Sequence, residues 1–266
     1  MSKTILILLF VICADNLPAQ NHTAVTRRNY NENQLEQYQI NVFAKLLDNM
    51  VFVDGGTFYM GNELEEGEMD QDANRHRVTI DPFFISRYEV TQELWTTVLD
   101  YNPAQFKDPQ NPIENVSWEE VQQFIQKLNN ITGMNFRLPT EAEWEFAAKG
   151  GTFSLGYRFA GSDFPKAVAW VDENSKFTTH NVAMKRPNEL GIYDMSGNVA
   201  EWCQDFYQHD YYIISPEHNP KGPQVGNNHV NRGGSWVMDQ KYAKTYSRNL
   251  ASPKMKSQAI GFRLAM

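Results

Sequence analysis

Apolar residues recur at helical spacing in separate stretches of the chain. Leu35, Tyr38, Val42, Phe43, Leu46 and Leu47 predict a helix from about 33 to 48. Thr91 opens a second helix through Leu94, Trp95 and Val98. Ser117 and Glu120 have the spacing of a capping box, and Val121, Phe124, Ile125 and Leu128 follow at helical spacing. Thr140 and Glu143 repeat that signal ahead of Trp144 and Ala148, and Gly150-Gly151 stops the helix. Residues 51–60 read as two short strands around a glycine turn, and 76–86 as extended chain broken at Asp81-Pro82. Between them lie Glu63, Glu65, Glu66, Glu68, Asp70 and Asp72. Their spacing is not that of an EF-hand, so this is expected to be a solvated acidic loop.

Helical periodicity ends at Gly151. Glycine, proline, asparagine and aromatic residues dominate 152–230, which predicts loops and short strands. Ordered loops of that length need partners for their backbone groups, and bound metal ions are one way to supply them. Residues 232–236 and 260–264 read as short terminal strands. With no internal repeat and no interdomain linker, the expected architecture is one α+β domain over 48–266.

The first residues change the picture at the other end. Lys3, the apolar run from Ile5 to Ile12, and Leu17-Pro18-Ala19 before Gln20 form a signal-peptide pattern. The expected organisation is therefore a signal peptide over 1–19, a polar, partly helical lead-in over 20–47, and the domain. The protein is expected to be exported: periplasmic, cell-surface or secreted, with no membrane insertion after signal removal. Bulky Val11-Ile12 before Cys13 argues against a lipoprotein signal. Loss of the signal leaves Cys203 alone, which excludes an internal disulfide, dithiol redox chemistry and a two-thiolate metal site. The net charge of −8 supplies no basic field for nucleic acid, and is compatible with cation binding.

The densest run of unusual choices is 191–202, Gly-Ile-Tyr-Asp-Met-Ser-Gly-Asn-Val-Ala-Glu-Trp. Gly197-Asn198 favours a tight turn, since both residues tolerate positive φ. Inward carbonyls in such a turn, flanked by Asp194 and Glu201, make an oxygen pocket for a hard cation such as calcium. An ordinary turn with both acids in solvent is the alternative. Other chemistries have weaker signals. The glycine pairs lack phosphate-loop spacing, and there is no Gly-x-Ser-x-Gly elbow. No two of His22, His76, His180, His209, His218 and His229 have helical zinc spacing. His209 with Asp205 and Asp210 is only a faint metal or acid/base candidate. Cys203 has Glu201 and Asp205 nearby, which disfavour a thiolate, so it reads as a buried structural cysteine.

Taken together, several motifs closely resemble the formylglycine-generating enzyme, or sulfatase-modifying factor, family. They are 51–61, Tyr88-Glu89-Val90-Thr91, Asn115-Val116-Ser117-Trp118, 136–145, Pro187-Asn188-Glu189-Leu190-Gly191, 197–202, Arg232-Gly233-Gly234-Ser235-Trp236 and Gly261-Phe262-Arg263, in the family's order. The resemblance implies a C-type-lectin-like fold with little regular secondary structure. It also implies structural calcium, held by the side chains of Asp194 and Glu201 and the carbonyls of Gly197 and Val199. A second calcium site of the family would start near Asn174, but 175–182 is shorter than in the enzymes and its other ligands do not carry over.

The chain departs from the family at its catalytic pair. Active members carry cysteines three and eight residues past the serine of Arg-Gly-Gly-Ser; these bind copper(I) and convert a substrate cysteine to formylglycine. Here the positions hold Met238 and Ala243. A thioether cannot become a thiolate and alanine offers no ligand, so neither copper nor formylglycine formation is expected. The expected function is a calcium-stabilised scaffold that binds a protein or peptide partner in a groove near Ser235, Trp236 and Tyr242. The alternative is an oxidoreductase of the same family with different chemistry, a metal-dependent oxidase or a maturation enzyme; an iron site would need a histidine and carboxylate cluster.

Overall fold

The computed structural model describes residues 32–62 and 74–266. The signal segment, Cys13, His22 and the acidic loop at 63–72 lie outside the described residues. The chain opens with α1 (Glu32–Asp48), followed by β1 (Met50–Val53), β2 (Gly56–Met60), β3 (His76–Ile80) and β4 (Phe83–Ser86). These strands nest as antiparallel pairs, β2 with β3 and β1 with β4. The turn between β1 and β2 needs glycine, because a Cβ on Gly55 would lie 2.4 Å from the Ile80 carbonyl oxygen.

Three helices follow where the capping signals place them: α2 (Gln92–Leu99), α3 (Trp118–Thr132) and α4 (Glu141–Ala148). Ser117 Oγ accepts from the Glu120 amide at 3.2 Å, and Glu120 returns the bond to the Ser117 amide at 3.0 Å. Thr140 and Glu143 do the same for α4, and Arg137 forks onto the Glu143 carboxylate. Each cap satisfies amide donors that a helix start leaves open.

The main sheet comes from the later chain: β5 (Ala200–Phe206), β6 (His229–Arg232), β7 (Arg248–Ala251) and β8 (Ile260–Gly261), ordered β7-β6-β5-β8. β5 is buried from Ala200 to Cys203, and alternation sends its side chains to two cores. Ala200 and Trp202 join Leu94, Trp95, Phe124, Leu128 and Phe262, where Trp95 stacks on Phe124 at 5.0 Å. Cys203 joins Val53, Val78, Ile85, Trp144 and Val230 on the other face.

Two expectations change. Val42, Phe43 and Leu46 of α1 are buried in the first core, so the helix is part of the packed body and not of a lead-in. The expected strand at 232–236 ends at Arg232, because Gly233 and Gly234 turn the chain at φ 90° and 66°. The loops of 152–230 are held by backbone bonds such as Asp172 to Met238 and Val182 to Gln110, and by short polar side chains. Asn188 Oδ1 accepts from the Leu190 and Ile192 amides, and its Nδ2 donates to Ala147. Ser196 bridges the Ala160 amide and the Ala243 carbonyl. Asn174, where the second calcium site would begin, accepts from the Val171 amide and donates to the Ala169 carbonyl.

Candidate functional site

Residues 191–202 run from a loop into β5 through a turn that several backbones crowd. Asp194, Gly197 and Asn198 have φ of 58°, 78° and 60°. A Cβ on Gly197 would meet the Trp170 carbonyl oxygen at 2.2 Å, so only glycine lets 170 and 197 approach. The Gly197 amide donates to Gly233 and the Asn198 amide to Trp170. Asn198 Nδ2 donates to the His180 carbonyl and to Glu89 Oε2, each at 3.1 Å. The Val199 amide points at Glu89 Oε1, 3.3 Å away.

The turn closes over a buried cluster of charges. Glu201 Oε2 accepts from Arg263 Nε at 2.5 Å and from Trp144 Nε1 at 2.7 Å, and Oε1 accepts from Arg263 Nη2 at 2.6 Å. Arg263 also donates to the carbonyls of Ser86 and Tyr193. Asp194 Oδ2 accepts from the Ala183 amide at 2.6 Å, while its Oδ1 is buried without a hydrogen-bond partner. Burial, then Asp194 and Glu201, drive Glu89 well above the usual carboxylate range. Burial also lifts Asp194 to about 6, against the opposing pull of the Ala183 amide and Arg263. Three carboxylates thus surround one buried guanidinium, with Lys185 acting on Asp194 from nearer the surface.

The residues fit a cation in part. Asp194 Oδ1 is a buried oxygen with an open acceptor site, as a ligand to a hard cation would be. The acid surplus is what a divalent cation balances. Glu201 Oε2 is filled by Arg263 and Trp144, while Oε1 accepts from Arg263 alone and keeps one acceptor position for a cation. Gly197 and Val199 do lie in the same turn as Asp194. Sequence reasoning missed Glu89 and Arg263 as members of this cluster. The available signal was a charged residue inside each of two otherwise apolar motifs, Tyr88-Glu89-Val90 and Gly261-Phe262-Arg263. Among the described residues, no three His, Cys, Asp or Glu side chains are arranged to hold a metal, so calcium would rely on carbonyls.

The other candidate residues are dispersed. Cys203 is fully buried, and burial followed by Asp205 and Glu141 pushes its thiol well above the ordinary range. Ala243 packs in a separate small cluster with Phe159, Val168 and Val171, and its carbonyl accepts from Ser196. Met238 follows the Ser235 turn, with its carbonyl bonded to the Asp172 amide. His180 stacks on Trp170 at 3.7 Å, His229 on Trp118 at 3.9 Å, and His76 packs on Tyr212.

The groove also lies elsewhere than expected. Ser235 and Trp236 are buried, the Trp236 indole donating to the Gln258 carbonyl, so neither offers a contact surface. Tyr242 alone of that trio is exposed. An open groove of about 500 Å³ is lined instead by Phe106, Lys107, Asn111, Trp170, His180 and Met184, among others. Phe106 sits edge-on to Trp236 at 5.2 Å and joins the two regions.

The fold, the helix caps and the ordered motifs converge with comparison to known proteins. The sulfatase-modifying factor enzyme 1-like domain family matches residues 37–266. The chain belongs to this family. Its domain is 32% identical over 240 residues to the chaperone protein LppX of Paenibacillus barcinonensis, covering 71% of this chain and 79% of that one. It is 34% identical over 174 residues to the formylglycine-generating enzyme of Streptomyces coelicolor, covering 59% of this chain and 53% of the enzyme. It therefore spans about half the length of that enzyme. Among solved structures, Treponema denticola variable protein 1 matches with a TM-score of 0.75 and 30% identity, covering 81% of this chain and 94% of the other. The family domain here is a single unit of the formylglycine-generating enzyme, C-type-lectin-like type.

Proposed function

We propose that this family domain is an exported, non-catalytic binding scaffold for a protein or peptide partner, with calcium as a structural ion at Asp194, Gly197, Val199 and Glu201. The observation that carries the reading is the pair Met238 and Ala243 at the positions of the active members' cysteines. Among the described residues no thiol replaces them. Ala243 is enclosed by apolar side chains, and Cys203 belongs to a different core with its thiol held protonated. Copper therefore has no thiolate pair to bind. Use as a binder is supported by the open groove and by the chaperone name of a relative that this chain covers over most of its length. The acid surplus around Arg263, with the open Asp194 oxygen, supports calcium. The apolar run at 5–12 after Lys3 supports export.

The experiment is direct. Purified protein with copper(I) and oxygen is incubated with a Cys-x-Pro-x-Arg peptide and the peptide is weighed by mass spectrometry. The expected outcome is an unchanged cysteine; its conversion to an aldehyde would overturn the non-catalytic reading.

A further inference from the structure

The groove is flanked by the most strained stretch of the described chain. Lys176, Phe177 and Ala183 have φ of 57°, 60° and 62°. Among the described residues they are the only ones at positive φ that are neither glycine, asparagine nor aspartate. Each such residue is strained and persists only where surrounding bonds over-determine it. Those bonds are present. Ser175 Oγ donates to the Trp236 carbonyl at 2.7 Å and accepts from the Phe177 amide. The His180 amide donates to Asn198 Oδ1 at 3.0 Å, Val182 to Gln110, and Ala183 to Asp194 Oδ2. The strained loop is thus clamped to the buried turn, and what it presents outward is Phe177 at 73% exposure and Met184 at 66%.

The charges around this loop run against the rest of the molecule. The chain carries −8, yet the groove wall holds Lys107, and Lys176 and Lys185 both stand close enough to His180 to lower its pKa further, after burial. Lys185 Nζ lies 3.9 Å over the Trp170 ring, on a residue that lines the groove, and donates to the Lys166 carbonyl. The acids nearby are fewer: Asp108, which lines the groove beside Lys107 and accepts from the Gln110 amide, Asp172, which accepts from the Glu173 amide, and Glu173, which pairs with Lys166.

We propose that this groove, between residues 106–111 and 178–184, docks an extended acidic peptide segment of a partner protein. Lys107 in the wall, with Lys176 and Lys185 at the rim, receives its carboxylates, and Met184 in the wall, with Phe177 at the rim, takes an adjacent apolar side chain. The inference rests on the binding function proposed above and assigns its ligand chemistry. A groove of about 500 Å³ holds a few side chains, and cationic groups beside exposed aromatic and thioether surface suit alternating acidic and apolar residues.

The test uses an array of synthetic peptides in which Phe, Leu or Tyr is flanked by every combination of Asp, Asn and Lys, probed with the full chain. Affinities are then measured by fluorescence polarisation. Peptides flanked by Asp are expected to bind, and weaken as ionic strength rises. The double substitution Lys176→Glu, Lys185→Glu is expected to weaken them about tenfold or more, with circular dichroism unchanged. Lys127→Glu, on α3 and outside the groove, leaves binding unchanged. Equal binding of Asn-flanked peptides would remove the acidic preference and leave the binding function standing. No binding of any peptide class would remove both.

Discussion

Arg263 is a charged side chain with no exposed surface, and its fit with Glu201 explains why the core tolerates it. A bidentate guanidinium–carboxylate pair satisfies both ions only while both are present. Arg263→Met or Glu201→Gln alone should cost about 3–5 kcal/mol in urea unfolding, since each strands a buried charge. The double variant Glu201→Gln, Arg263→Met should recover much of that loss; an additive result would show that the two do not act as a pair. Gly197 presents a steric case. Gly197→Ala places a methyl on the Trp170 carbonyl and forces a non-glycine residue to φ 78°, so the expected result is a sharp drop in melting temperature.

At the scale of elements, α4 shows how one helix serves two purposes. Its outer turn carries the cap to Arg137, while Glu141 and Glu145 reach inward to Arg232 of β6 at 2.6 Å each. Lys149 and the Gly61 amide also bind Glu145, and Lys149 with Arg232 holds its carboxyl down to about 2 despite burial. The carboxyl is lowered from 4.5, so its contribution to stability is complete above pH 4.5 and is lost as pH falls towards 2. Stability should therefore fall across that window. Glu145→Gln should flatten the slope of unfolding free energy against pH there while lowering stability at neutral pH. An unchanged slope would show that the carboxyl is not held down. The helices α2 and α3 meet through Trp95, stacked on Phe124 and edge-on to Phe262, and Trp95→Ala should cost about 3–5 kcal/mol.

For the whole molecule, two cores share β5, and long loops are pinned by asparagine and serine side chains as well as by any bound ion. Calcium is therefore expected to add to an already connected fold. EGTA should lower the melting temperature by several degrees and added calcium should restore it, because a ligand that binds only the folded state stabilises by mass action. No shift with EGTA would leave the acid surplus balanced by a proton on Glu89 and by Lys185. Fractionation of the producing cells tests export independently, and retention of the uncleaved chain in the cytoplasm would count against it.

Much of this was open to reading along the chain. The capping boxes at Ser117 and Thr140 fixed two helix starts because their partners lie three residues away. The order of short motifs identified the family, and two sequence positions, Met238 and Ala243, carry the proposal that its thiol chemistry is absent. What pairs across the molecule was not legible. Glu201 and Arg263 lie 62 residues apart and Glu89 and Val199 lie 110 apart, so no local pattern assigns their partners. The same holds for Trp236, whose motif resembled a groove wall and whose indole is spent on Gln258 in the interior. Sequence determined which groups the turn at 191–202 contains, since turn chemistry is local. Tertiary packing alone decided that Glu201 serves an arginine, leaving Asp194 Oδ1 open, because charge balance in a buried site is set by whatever the fold brings against it.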